Sequence, residues 1–90
     1  MSNPLEARAV KLLADTEATA QAQSSQFVRA PLIESVTFLS DAVELIRAGK
    51  SDEALDALSD ARNALNRLGG AYRAGLLERV ERLQLALINA

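Results

Sequence analysis

The chain has 90 residues, a formal net charge of −2, and no His, Cys or Trp. Those absences remove disulfides, thiolate chemistry, the usual general base and the commonest metal ligand. With only Phe27, Phe38 and Tyr72 as aromatics, there is no stacking platform for bases or sugars. Hydrophobic residues make up 49%, but seventeen of them are Ala, which favours helix while burying little area, so closely packed helices in one small domain are expected.

Asn3-Pro4-Leu5-Glu6 reads as a helix start. Asn suits the N-cap, Pro the first helical position, and Glu follows three residues after the cap. A first helix is predicted over about 4–27. Its apolar content fades after Leu13, where Thr16, Thr19, Gln21 and Gln23 dominate, and a looser N-terminal helical arm over 1–30 is the alternative. Pro31 is expected to open a second helix, over about 31–48, because the residue before Pro is pushed from helical geometry. Leu32, Val36, Leu39, Val43 and Ile46 are spaced four, three, four, three, which places them on one face. Phe38, Ala42 and Leu45 widen that face beyond what one neighbour requires.

Gly49 is suited to the left-handed residue that follows a helix, and Ser51 to capping the next one, with Asp52 and Glu53 near its positive end. The third helix is predicted over about 52–68, with Ala54, Leu58, Ala61, Leu65 and Leu68 facing the second. Gly69-Gly70 is expected to break the chain before a fourth helix over about 72–88, because two glycines inside a helix cost about 2 kcal/mol relative to Ala. Tyr72, Leu76, Val80, Leu83 and Leu87 make its main stripe, while Leu77, Leu85 and Ile88 fall off it. No strand pattern competes. The fold class expected is all-α, an antiparallel bundle of three or four helices in one domain, with Leu32, Val36, Leu39, Val43, Leu58, Leu65, Val80 and Leu83 as its core.

Charge is segregated along the chain. Residues 31–60 hold seven acidic and two basic residues, whereas 61–90 hold five Arg and two Glu. Such separation guides how segments or subunits pair.

Residues 38–61 resemble a single tetratricopeptide-like helical hairpin. Phe38, Ala42, Leu45, Gly49, Asp52-Glu53-Ala54, Leu58 and Ala61 fall at that family's intervals, while Asp41 and Asn66 depart from it. No second copy of the repeat is present. The resemblance implies a concave surface that binds a partner peptide or helix. Leu32-Ile33, Gly49, Gly69-Gly70 and Arg82-Leu83 also echo, more faintly, the order seen in four-helix flagellar-export chaperones.

The function expected is non-enzymatic: a protein–protein interaction module, either adaptor, chaperone or assembly subunit, that acts through apolar helix faces. A homodimer or larger homo-oligomer is expected. Phe38, Leu45, Leu77, Leu85 and Ile88 are the candidate partner or oligomer surface, and Arg73, Arg79 and Arg82 the candidate electrostatic contacts. The alternative is a small oligomeric regulator that contacts nucleic acid through the Arg-rich C-terminal segment. Asp41/Glu44 and Glu78/Glu81 have the i,i+3 spacing of metal-holding pairs but are expected to be solvated, so no catalytic residue, metal or cofactor is expected. With no apolar run of membrane-spanning length and no leader pattern at its start, the chain is expected to be cytoplasmic.

Overall fold

The computed structural model describes residues 3–90. Met1 and Ser2, the first two positions of the 1–30 arm considered above, lie outside the described residues. The described chain is all helical: α1 (Pro4–Gln21), α2 (Gln26–Arg47), α3 (Ser51–Leu65), a single turn α4 (Gly70–Arg73) and α5 (Leu76–Ile88). None of these helices is long and apolar enough to cross a membrane.

The four long helices form a ring in which α1 packs on α2, α2 on α3, α3 on α5, and α5 on α1. Cross-helix contacts give the directions. Arg47 at the end of α2 pairs with Glu6 at the start of α1, and Arg67 beyond α3 pairs with Glu34 in the first half of α2. Between α3 and α5, Gln84 donates to the Ser59 hydroxyl at 3.0 Å, while Arg62 lies 3.9 Å from Glu81. Contacts therefore climb one helix as they descend its neighbour, and every seam is antiparallel.

Asn3 caps α1 as its sequence suggests, its side-chain oxygen accepting from the Leu5 amide at 2.9 Å. The helix stops at Gln21 rather than near 27. Its polar second half still contributes to the core through Thr16 and Ala20, both buried. The Thr16 hydroxyl donates to the Leu12 carbonyl at 2.7 Å, which satisfies it without any partner from another helix. α1 is packed against two neighbours along its length, rather than standing off as a loose arm.

α2 corrects a second expectation. It begins at Gln26, and Pro31 lies inside it. Pro31 removes only the bond that its own nitrogen would have given to the Phe27 carbonyl, one and a half turns from the helix start. Pro31 is buried, and Leu32 beside it is fully buried, so packing holds the turn that local preference disfavours.

Gly49 behaves as predicted. Its φ is +77°, the Lys50 amide donates to Leu45 at 2.8 Å and the Gly49 amide to Ile46 at 3.1 Å. That pair of bonds is a Schellman stop. Ser51 is the first residue of α3 rather than its cap; Lys50 holds the cap position and makes no side-chain capping bond. Across the α2–α3 seam, Ala54, Ala61 and Leu58 are fully buried. The buried Ser35 hydroxyl lies 3.0 Å from the Pro31 carbonyl and 3.3 Å from the Ala61 carbonyl. A methyl side chain at 61 is what lets the helix backbones come that close.

The C-terminal third departs most from expectation. α3 ends at Leu65, and residues 66–68 tighten into turns that bury Leu68. Gly69 is extended, α4 makes one turn, and then Ala74 and Gly75 both take left-handed backbone, at φ +49° and +75°. The decisive reversal is therefore at Ala74-Gly75, five residues after Gly70. Because α4 is separate from α5, Tyr72 leaves the stripe predicted for it and is 47% exposed. Leu76, Val80, Leu83 and Leu87 of that stripe are buried. Seven of the eight expected core residues are buried; Val36 is half-buried.

Candidate functional site

A depression of about 540 Å³ runs along the outside of the α2–α3 seam. Its α2 wall carries Phe38, Asp41, Glu44, Leu45 and Ala48, and its α3 wall carries Glu53, Asp56, Ala57 and Asp60. Helical spacing explains the arrangement. Phe38 and Leu45 are seven apart, and Glu53, Asp56 and Asp60 follow a three-then-four spacing, so each set shares one face. Between the acids α3 offers only the methyl group of Ala57. No large side chain reaches over Phe38 and Leu45, which stay half-buried. A smaller depression continues the groove past Phe38 and Asp60 toward the Glu34–Arg67 ion pair. Lys50 stands at the turn end.

The electrostatics are lopsided. Glu6, Asp15, Glu34 and Glu81 each have a cationic partner on the described residues. None of Asp41, Glu44, Glu53, Asp56 and Asp60 in the groove does, and neither do Glu17, Asp52 and Glu78 outside it. The groove is thus an apolar floor under a fringe of five carboxylates and one ammonium.

The α1–α5 seam, on the far side of the ring, has the opposite character. Arg8, Lys11, Arg79 and Arg82 surround a hollow of about 220 Å³ floored by Leu12 and Leu83. Asp15 neutralises part of it, accepting from Arg79 at 2.9 Å and lying 3.6 Å from Lys11. The Arg79 hydrogen bond, helped by Lys11 and opposed by partial burial, holds the Asp15 carboxyl below the ordinary Asp value.

The residues singled out by sequence distribute as follows. Phe38 and Leu45 come together on the groove floor. Leu85 and Ile88 are 59% and 63% exposed on the outside of α5. Leu77 is buried in the core, because α5 packs on both α1 and α3 and so buries a face wider than its main stripe. Arg79 and Arg82 share the α1–α5 hollow, whereas Arg73 donates from Nε to the Leu68 carbonyl at 3.0 Å and braces the connection before α5. Asp41 and Glu44 are exposed, as expected, but belong to the groove rim rather than to an idle face. Ala57 and Glu53 belong to the expected third helix, but the sequence does not mark them, or Asp56, Asp60, Arg8 and Lys11, as site residues. The acidic excess of residues 31–60 was the available signal for Glu53, Asp56 and Asp60.

Among the described residues no group of three or more carboxylates is placed to hold a metal ion. Comparison with protein-family models, curated proteins and solved structures gave no match.

Proposed function

We propose that this protein is a helical interaction module that holds a basic amphipathic helix in the α2–α3 groove. The observation that carries the reading is the combination of a half-buried apolar floor, Phe38 with Leu45, and five carboxylates without an ion-pair partner around it. A helix laid in such a groove presents its apolar anchors to the floor and its Lys or Arg residues to the fringe. The tetratricopeptide-like spacing of residues 38–61 supports the same reading, since that family uses the concave side of such hairpins to bind peptides. Nucleic-acid contact through Arg73, Arg79 and Arg82 has less support: Arg73 is tied to Leu68 and Arg79 to Asp15.

A fluorescent Lys/Leu amphipathic peptide tests the proposal by anisotropy, with a Glu/Leu peptide of the same pattern as control. The Lys/Leu peptide binds saturably and the control does not. Phe38→Ala with Leu45→Ala weakens binding by about tenfold or more, which corresponds to 1.4 kcal/mol or more, while helical circular dichroism is kept. That double substitution leaves net charge unchanged, so unaltered peptide binding would reduce the groove to diffuse charge attraction and end the proposal.

A further inference from the structure

Across the ring from the groove, the α1–α5 hollow gathers four cations, Arg8, Lys11, Arg79 and Arg82, against the one carboxylate of Asp15. That is an excess of three positive charges at one place in a chain whose net charge is −2. We propose that this hollow binds the diphosphate group of a small molecule, through the Arg8, Lys11 and Arg82 side chains above a floor of Leu12 and Leu83. It shares no residue with the α2–α3 groove.

The antiparallel seam sets the order of the cations. Arg79 is level with Asp15, to which it donates at 2.9 Å. From that level, at about 1.5 Å per residue, Arg82 lies about 4.5 Å along the seam, Lys11 about 6 Å and Arg8 about 10.5 Å. Asp15 therefore stands at one end of the row and neutralises Arg79 there. It reaches Lys11 only loosely, at 3.6 Å, and that lysine side chain is 75% exposed. Neither Arg8 nor Arg82 has an ion-pair partner among the described residues. The other carboxylates of the two helices are directed elsewhere. Glu6 pairs with Arg47 and Glu81 with Arg62 on other seams, Glu17 lines a depression between α1 and α2, and the exposed Glu78 does not line the hollow. An unneutralised stretch of about 6 Å is left from Arg82 to Arg8, with Lys11 between them.

Size and charge select the ligand. At about 220 Å³ the hollow is smaller than the pockets that enclose drug-sized molecules, which begin near ~300 Å³, so it takes a compact anion and leaves any larger remainder outside. A carboxylate brings a single negative charge. A terminal phosphoryl group brings about 1.5 to 2, so two adjacent phosphoryl groups match the local excess. Guanidinium forks hold phosphate oxygens through paired hydrogen bonds, and an ammonium holds them as a point charge. Leu12 and Leu83, 2% and 1% exposed, keep water from the floor and so strengthen those contacts.

Isothermal titration calorimetry of the full chain with sodium pyrophosphate, in low-salt buffer free of divalent cations, tests this. Pyrophosphate binds at one site per chain, about tenfold or more tighter than inorganic phosphate. Arg8→Gln with Arg82→Gln weakens it by about tenfold or more, whereas Arg29→Gln with Lys50→Gln, which removes equal charge from exposed positions elsewhere, changes it by less than about twofold. Asp15→Asn tightens it by about threefold or more, a gain that damage to the fold would not produce, while Asp56→Asn makes the same charge change in the groove and leaves it unaltered. Circular dichroism verifies that each variant is folded, and the Asp15 and Asp56 variants decide the outcome if the arginine double variant is not. ADP separates the sources of the group: binding tighter than that of pyrophosphate assigns a nucleotide, and equal or weaker binding assigns the free anion. No binding of millimolar pyrophosphate, with or without capture of a single-stranded oligonucleotide, overturns the proposal. So does an equal loss in the two double variants, or an equal gain in Asp15→Asn and Asp56→Asn, since either would reduce the effect to diffuse charge.

Discussion

The connection between α2 and α3 and the connection between α3 and α5 do the same job by different means. Each turns the chain back so that two helices lie antiparallel. The first needs only residues 48–50, two backbone hydrogen bonds and one left-handed glycine. The second runs from 66 to 75, includes a helical turn, and places two consecutive residues in left-handed backbone, one of them an alanine. The first is held by local geometry and the second by what it packs against, Leu68 in the core and Arg73 on the Leu68 carbonyl.

The sharpest way to test that contrast is Leu68→Ala. It removes the buried anchor of the longer connection and should cost about 2–5 kcal/mol, read as a lower urea midpoint. A cost near zero would mean the connection holds itself. Backbone substitutions come next. Gly49→Ala and Gly75→Ala should each cost about 1–2 kcal/mol. An added Cβ meets nothing within 4 Å at either position, so the penalty is conformational alone. Ala74→Gly should act in the opposite direction and stabilise by about 0.5 kcal/mol, the relief of left-handed strain being offset in part by the freer unfolded chain. The smallest effect concerns the ion pair that moors the start of α5 to α1. The folded Asp15 carboxyl is held below its unfolded value. Its contribution is therefore complete above the unfolded value, near pH 4, and is lost as pH falls through the folded one. Asp15→Asn should flatten the fall in melting temperature between about pH 5 and pH 2.

The same contrast separates what could be read in the sequence from what could not. Gly49 was legible because it falls one residue past a well-formed stripe, where local geometry alone specifies a stop. Gly69-Gly70 is the chain's only glycine pair, yet the single Gly75 follows the left-handed Ala74 and makes the final reversal; counting glycines does not reveal which will take positive φ. Pro31 was misplaced because the rule for the preceding residue is local, while the burial of Pro31 and Leu32 is tertiary. Thr16 looked like fading core and is buried, since its hydroxyl bonds back to its own helix. At the site, Phe38 and Leu45 were identifiable from their place beside the main stripe. The groove itself was not, because it depends on Ala57 being opposite them on another helix. Leu77 shows the converse: a residue off the stripe of an ideal helix becomes core once two neighbours, α1 and α3, close over it.

The ring of helices carries a kinetic consequence. The α1–α2 and α2–α3 pairings join segments adjacent in the chain, whereas the Asp15–Arg79 seam joins the first helix to the last. Closing that seam encloses residues 15 to 79 in one loop, and its entropic cost rises with the logarithm of the loop's length. Folding speed in a helical protein of this size is otherwise set by local contacts. The meeting of α1 with α5 is thus the long-range event of the folding reaction, and it completes the hollow of Arg8, Lys11, Arg79 and Arg82 only when the chain has come full circle.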